Sequence, residues 1–208
     1  MMVKICGITN SGDALAAAEE GASAIGFNFY EGSPRYITPT AARAIGARMP
    51  ANVLKVGVFV DEGEDTIGRC VEEAGLDIVQ LHGNEPPSAC STGRRVWKAF
   101  RVTDSWNASL VRSYVVDAIL LDGPAPGTGS SWDWRRAEAL RSRIILAGGL
   151  NAGNVGEAIR ALCPWGVDAC SRIESAPGIK DRHEMRRFIR AALQSASKSE
   201  RIASGNSL

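Results

Sequence analysis

Two hydrophobic patterns alternate along this chain. The first is a short run, apolar nearly throughout and rich in β-branched residues. It recurs at residues 3–6, 23–28, 53–60, 77–82, 96–101, 117–122, 143–147 and 166–170. Such runs are the mark of parallel strands covered on both faces. The second is an Ala- and Arg-rich segment with apolar residues three and four apart. It predicts helices at 10–20, 39–48, 65–74, 86–91, 107–114, 133–140, 151–162 and 181–194. Ile67, Cys70, Val71 and Ala74 share one helical face, as do Met185, Phe188, Ile189, Ala192 and Leu193. Pro39 stands in the first turn of its helix, where its missing N–H costs nothing.

About eight strand–helix units follow one another with little chain left over. Alternating βα units imply parallel pairing through right-handed crossovers. The expected fold class is α/β, a single closed (β/α)8 TIM barrel over residues 1–194. The chain is near the lower size limit of about 200 residues for that fold. An open doubly wound sheet is the alternative. It usually carries a glycine-rich turn after its first strand, whereas here Cys6-Gly7-Ile8-Thr9-Asn10 follows. Residues 195–208 are rich in Ser, Lys, Gly and Asn with few apolar side chains. They are expected to form a disordered tail.

Composition narrows the partners. Lys and Arg number 24 against 23 Asp and Glu, a net charge of +1. No field of one sign favours nucleic acid or an acidic membrane. No apolar stretch approaches the roughly 20 residues that span a bilayer, and the N-terminus reads as a strand rather than a signal peptide. A soluble cytoplasmic protein is expected, with a monomer as the simplest assembly. The five cysteines are odd in number and form no Cys-x-x-Cys pair, and His82 and His183 complete no zinc spacing. Free thiols are therefore expected, with neither a disulfide framework nor a metal site.

In a closed barrel the active site lies at the C-terminal strand ends. Those positions read Cys6, Asn28, Asp61, His82, Arg101, Asp122, Gly148-Gly149 and Cys170-Ser171. Gly148-Gly149 after strand seven is expected to open a helix whose N–H groups meet an anion, with Ser171 and Arg172 after strand eight completing the cradle. A thiolate at Cys6 is a candidate base, although an ordinary thiol, with a pKa of about 8.5, is only slightly ionised at neutral pH. Asp122, ending an apolar run, is a candidate acid. Strands one and six face each other across a barrel mouth. Arg35 is placed to meet a carboxylate through a bidentate contact. His82 is a further candidate contact, and the glycine-rich stretch 124–131 reads as a lid.

Ten segments, in order, resemble the phosphoribosylanthranilate isomerase family of tryptophan biosynthesis. They are Val3-Lys4-Ile5-Cys6-Gly7-Ile8-Thr9, Gly26-Phe27-Asn28-Phe29-Tyr30, Ser33-Pro34-Arg35-Tyr36, Val56-Gly57-Val58-Phe59-Val60 and Val79-Gln80-Leu81-His82-Gly83. Leu120-Leu121-Asp122, Gly127-Thr128-Gly129, Trp132-Asp133-Trp134, Ala147-Gly148-Gly149-Leu150 and Pro177-Gly178-Ile179-Lys180-Asp181 complete the set. The resemblance implies an Amadori rearrangement of a small phosphorylated substrate, without cofactor. It implies Cys6 as general base, Asp122 as general acid, Arg35 at the anthranilate carboxylate, Asp168 lining the site, and the glycine pair with Ser171 at the phosphate. The sequence departs from it at Arg172, where a small residue is usual, and at Cys170, where serine is common. An arginine at a positive-φ cradle position would be strained, or would add a cation. The histidine-pathway sister barrel, with aspartate as its base and a two-fold half-barrel repeat, is the nearest alternative. A non-catalytic phosphate-binding barrel is another.

Overall fold

The structure, a computed structural model, describes residues 1–90, 93–125, 132–137, 140 and 143–205, with side chains through 198. Eight parallel strands close on themselves: β1 Met2–Ile5, β2 Ala24–Asn28, β3 Leu54–Phe59, β4 Ile78–Leu81, β5 Val96–Arg101, β6 Ala118–Asp122, β7 Ile144–Leu146 and β8 Gly166–Ala169. Pairing of β1 with β8, Lys4 opposite Asp168 and Ile5 opposite Ala169, makes the ring and excludes the open sheet.

Side chains alternate across a strand, so every second residue points into the barrel. Met2, Ala24, Val56, Ile78, Trp97, Ala118 and Ile145 plug the floor. Two residues further along each strand stand Lys4, Gly26, Gln80, Leu120 and Asp168. Two further again come Cys6, Asn28, His82, Arg101, Asp122 and Cys170, at the mouth. The opposite phase, including Val3, Ile5, Ile25, Phe27, Leu121 and Val167, packs outward against the helices. One alternation thus builds both core and site.

Among the described residues, five α-helices surround the ring. In α1, Ser11–Glu19, the Asn10 side chain accepts from the Asp13 N–H. The helix α2, Pro39–Gly46, is capped by Thr38 and begins on its proline. Next, α3, Glu64–Ala74, stops at Gly75 in the left-handed conformation. Then come α4, Val155–Leu162, and α5, Arg182–Gly205.

Three expected helices are instead 3-10 turns: Pro87–Cys90, Ala108–Ser113 and Trp134–Ala137. Two adjacent prolines deprive the first of amide donors. In the second, Asn107 draws the Ser109 N–H into a local turn. The helix expected from residue 151 begins only at Val155. Before it, Asn154 accepts from the Asn151 N–H and donates to the Gly149 carbonyl, which closes a separate turn. The sequence pattern also ended the last helix at 194, whereas α5 continues to Gly205. Ala196 is buried in line with Met185, Phe188, Ile189 and Ala192, so the apolar stripe runs one turn further. The antiparallel hairpin β9 Glu174–Ala176 and β10 Ile179–Lys180 had no counterpart in the sequence reading.

Candidate active site

A cavity of about 520 Å³ opens at the C-terminal mouth of the barrel. Cys6, Arg35, His82, Asp122, Gly148, Gly149, Asp168, Ser171 and Arg172 all line it, so the structure gathers every expected site residue. Asn28 and Arg101 join them. Asp61 does not. It lies one residue out of phase, with φ +51°, and its carboxylate accepts from the Asn84 N–H at 2.6 Å.

One wall is ionic. Lys4, wholly buried, donates to Asp168 Oδ2 at 3.0 Å, and its ammonium and the Cys6 sulfur border the same point above Gly26. A hydrogen bond with the Cys170 thiol pulls the Cys6 pKa down most strongly. Burial opposes that shift, and the ammonium groups of Lys4 and Lys180 add to it, leaving Cys6 well below an ordinary thiol. The same bond, together with burial, pushes Cys170 up. Burial raises the Asp168 carboxyl to about 8 against the pull of Lys4. Its Oδ1 has no hydrogen-bond partner among the described residues.

The facing wall is built on Asp122. Its Oδ1 accepts from the Gly123 N–H at 2.7 Å, and its Oδ2 lies 3.3 Å from His82 Nε2. Gln80 Nε2 is 3.1 Å from His82 Nδ1. Despite that 3.3 Å approach, His82 Nε2 makes no hydrogen bond among the described residues. Gly148 has φ +81°, and a Cβ there would strike the Gly123 nitrogen and come within 3.0 Å of Asp122 Oδ1. The glycine loop thus also gives the carboxyl its space.

Arg35 holds a carboxylate within the protein already. Its Nε and Nη2 bind Glu174 at 2.7–3.0 Å, and Lys180 Nζ reaches Glu174 Oε1 at 2.7 Å. Burial alone would raise the Glu174 carboxyl, yet Arg35 and Lys180 hold it below its usual value. Arg35 lines the cavity as well, and one carboxylate does not exhaust its five donors. Gly7, at φ +71°, lets this arm pass, since a Cβ there would come within 2.7 Å of Arg35 Cδ and 2.9 Å of Cys170 Sγ.

Arg172 does not have the strained backbone considered for it. Among the described residues only Asp61 and Cys163 combine a side chain with positive φ, and Arg172 sits in the 3-10 turn Ser171–Ile173. Pro124 and Ala125, at the start of the expected lid, line the cavity, while residues 126–131 lie outside the described residues.

Lys4, Gln80, Glu174 and Lys180 were not singled out from sequence. Lys4 carried a signal, being a charge within a strand buried on both faces and in phase with Cys6. Glu174 and Lys180 carried none, because their pairing depends on a hairpin that no periodicity announces.

A closed barrel whose mouth brings together a thiol from strand one and a carboxyl from strand six has the layout of the isomerases built on this fold. The comparisons narrow the class. The family profile described as N-(5'-phosphoribosyl)anthranilate (PRA) isomerase matches residues 3–191, and the chain belongs to that family. A similar relative is the N-(5'-phosphoribosyl)anthranilate isomerase of Solibacter usitatus, 48% identical over 92% of this chain and 97% of that one. The crystal structure of phosphoribosyl anthranilate isomerase from Thermus thermophilus superposes with a TM-score of 0.88. It is 40% identical over 93% of this chain and 99% of its own. Another solved isomerase, in complex with reduced 1-(o-carboxyphenylamino)-1-deoxyribulose 5-phosphate, superposes at 0.83. It is 39% identical over the same 93% and 99%.

Proposed function

We propose that this chain converts N-(5'-phosphoribosyl)anthranilate to 1-(2-carboxyphenylamino)-1-deoxyribulose 5-phosphate, an Amadori rearrangement in tryptophan biosynthesis. The observation that carries this reading is that Cys6 and Asp122, from strands one and six, line one cavity at the barrel mouth. A relative 39% identical binds the reduced product in its own structure.

Asp122 protonates the furanose ring oxygen. The ring C–O bond breaks, and the anthranilate nitrogen lone pair forms the C1′=N bond. Cys6 then removes the C2′ proton, and the C2′–H electron pair moves to give the enolamine. Tautomerisation yields the ketone. Every electron stays within the substrate, so the net reaction is redox-neutral. Arg35 takes the anthranilate carboxylate, and Asp168 Oδ1 accepts from a ribose hydroxyl. His82 borders Asp122. Backbone N–H groups of Gly148, Gly149 and Ser171, with the Arg172 cation, hold the phosphate.

One chain supplies all these groups, so a monomer suffices. Among the described residues no helix is long and apolar enough to cross a membrane, and a cytoplasmic location agrees with a phosphorylated metabolite as substrate. The test is a fluorescence assay of purified protein on phosphoribosylanthranilate. Steady turnover supports the reading, and its absence at every pH would remove it.

A further inference from the structure

We propose that Lys4 is a positioning residue for the Cys6 base, and that Gly26 is the notch in which their side chains meet. The proposal rests on the reading of Cys6 as the base.

Lys4 does not line the cavity. It lies one layer below the mouth, wholly buried, and so has no access to a ligand. An ammonium in such a place is tolerated only with paired anions around it. Asp168 Oδ2 is one, at 3.0 Å, and the Cys6 sulfur is the next polar group toward the mouth.

The neighbouring strand makes room for them. A Cβ on Gly26 would stand 2.9 Å from Cys6 Sγ, 3.0 Å from Lys4 Cε and 3.1 Å from Lys4 Nζ. Sulfur and ammonium therefore converge on one point from which a side chain is missing. Gly26 needs no glycine for its backbone, since its φ is not positive. Glycine inside a strand weakens it and marks a close approach. Here the approach is that of Lys4 to Cys6.

The other charges near Cys6 are otherwise engaged. Lys180 Nζ is 2.7 Å from Glu174 Oε1 and 3.9 Å from Cys170 Sγ. Arg35 is matched by the same glutamate. The Cys170 thiol donates to Glu174 Oε1 at 3.8 Å. Asp168, raised to about 8 by burial against the pull of Lys4, stands on β8, on the far side of β1 from the Gly26 notch. Of the cations around Cys6, Lys4 is the one whose ammonium shares the Gly26 notch with the sulfur.

The test is the pH dependence of Cys6 alkylation by iodoacetamide, followed by mass spectrometry of the Cys6 peptide. Lys4→Met should raise the midpoint by about one pH unit or more, equivalent to roughly tenfold less thiolate below it. The kcat at neutral pH should fall in parallel, KM should change less, and raised pH should restore part of the rate. Lys4→Arg, which keeps the charge, should retain a lowered midpoint. Gly26→Ala, with Lys4 intact, should raise it. Lys4→Met leaves Asp168 buried without its cation and can cost the fold. Comparison of Lys4→Met/Asp168→Asn with Asp168→Asn alone reads the same effect in a background without that carboxylate.

A midpoint unmoved in the folded double variant and in Gly26→Ala overturns the proposal. Alkylation uses no substrate. A wild-type protein that does not turn over phosphoribosylanthranilate would therefore sink the functional reading, while the midpoints still decide Lys4.

Discussion

Asp122 Oδ2 stands 3.3 Å from His82 Nε2, while Asp122 Oδ1 is held at 2.7 Å by the N–H of Gly123. The two oxygens are thus unequal. One is fixed by the chain, and the other borders the cavity beside a ring able to donate. Asp122→Asn keeps the shape and removes the transferable proton. It should lower kcat by about 10²–10⁴-fold, the usual worth of general acid–base catalysis. Affinity for a reduced product analogue, measured by calorimetry, should change only a few-fold. His82→Asn removes the ring that borders Asp122 Oδ2 and should cost roughly tenfold in kcat. A wild-type rate in Asp122→Asn would exclude this carboxyl as the acid.

Cys6→Ser replaces a stabilised anion by a hydroxyl that stays neutral throughout the range in which the protein folds. The expected loss in kcat is again about 10²–10⁴-fold. Raising the pH to 9 should not recover it. Steady-state assays across pH, with circular dichroism confirming the fold, check both points.

Gly148→Ala places a methyl against the Gly123 nitrogen at a backbone of φ +81°. Alanine at positive φ destabilises, and the clash adds to it, so a loss of more than about 1 kcal/mol is expected in denaturant titration. Movement of the loop would also disturb the Gly123–Asp122 bond. The variant should therefore lose kcat as well as substrate affinity, and a loss confined to KM would argue against that coupling.

Glu174 gives the pH dependence of stability a sign. Its carboxyl is held below its unfolded value of about 4.3, because Arg35 and Lys180 outweigh the opposing burial. The stabilisation is therefore present above that value and is lost as pH falls through the lowered folded value. Wild-type melting temperature should drop as pH falls below about 4. Glu174→Gln should flatten that acid limb. At pH 7 it should destabilise by on the order of 3 kcal/mol, because two buried cations lose their anion. Parallel acid limbs in the two proteins would contradict the assignment.

The site was legible where a strict period of two carried it. Cys6, His82, Asp122 and Cys170 end apolar runs in the inward phase, and their alternation alone brings them to one mouth. Asp61 ends a run as well, but one residue out of phase, and its side chain turns toward Asn84. Helical pattern was a weaker guide. Residues 107–114 have helical spacing, yet the Asn107 side chain takes a backbone donor and the segment closes as a 3-10 turn. The Arg35–Glu174–Lys180 cluster was hidden for another reason. Glu174 lies 139 residues from Arg35, on a short hairpin with no hydrophobic signature.

The seam between β1 and β8 joins residues 164 positions apart, since Lys4 meets Asp168 there. Cys6 and Cys170 come together on the same two strands. A growing chain that has made only its first strands carries an ordinary thiol, without the partners that charge it. Reactivity is therefore acquired late, when the last strand docks and the ring shuts. During refolding, the rate at which Cys6 becomes alkylatable at neutral pH is a clock for barrel closure itself, set by the two ends of the molecule finding each other.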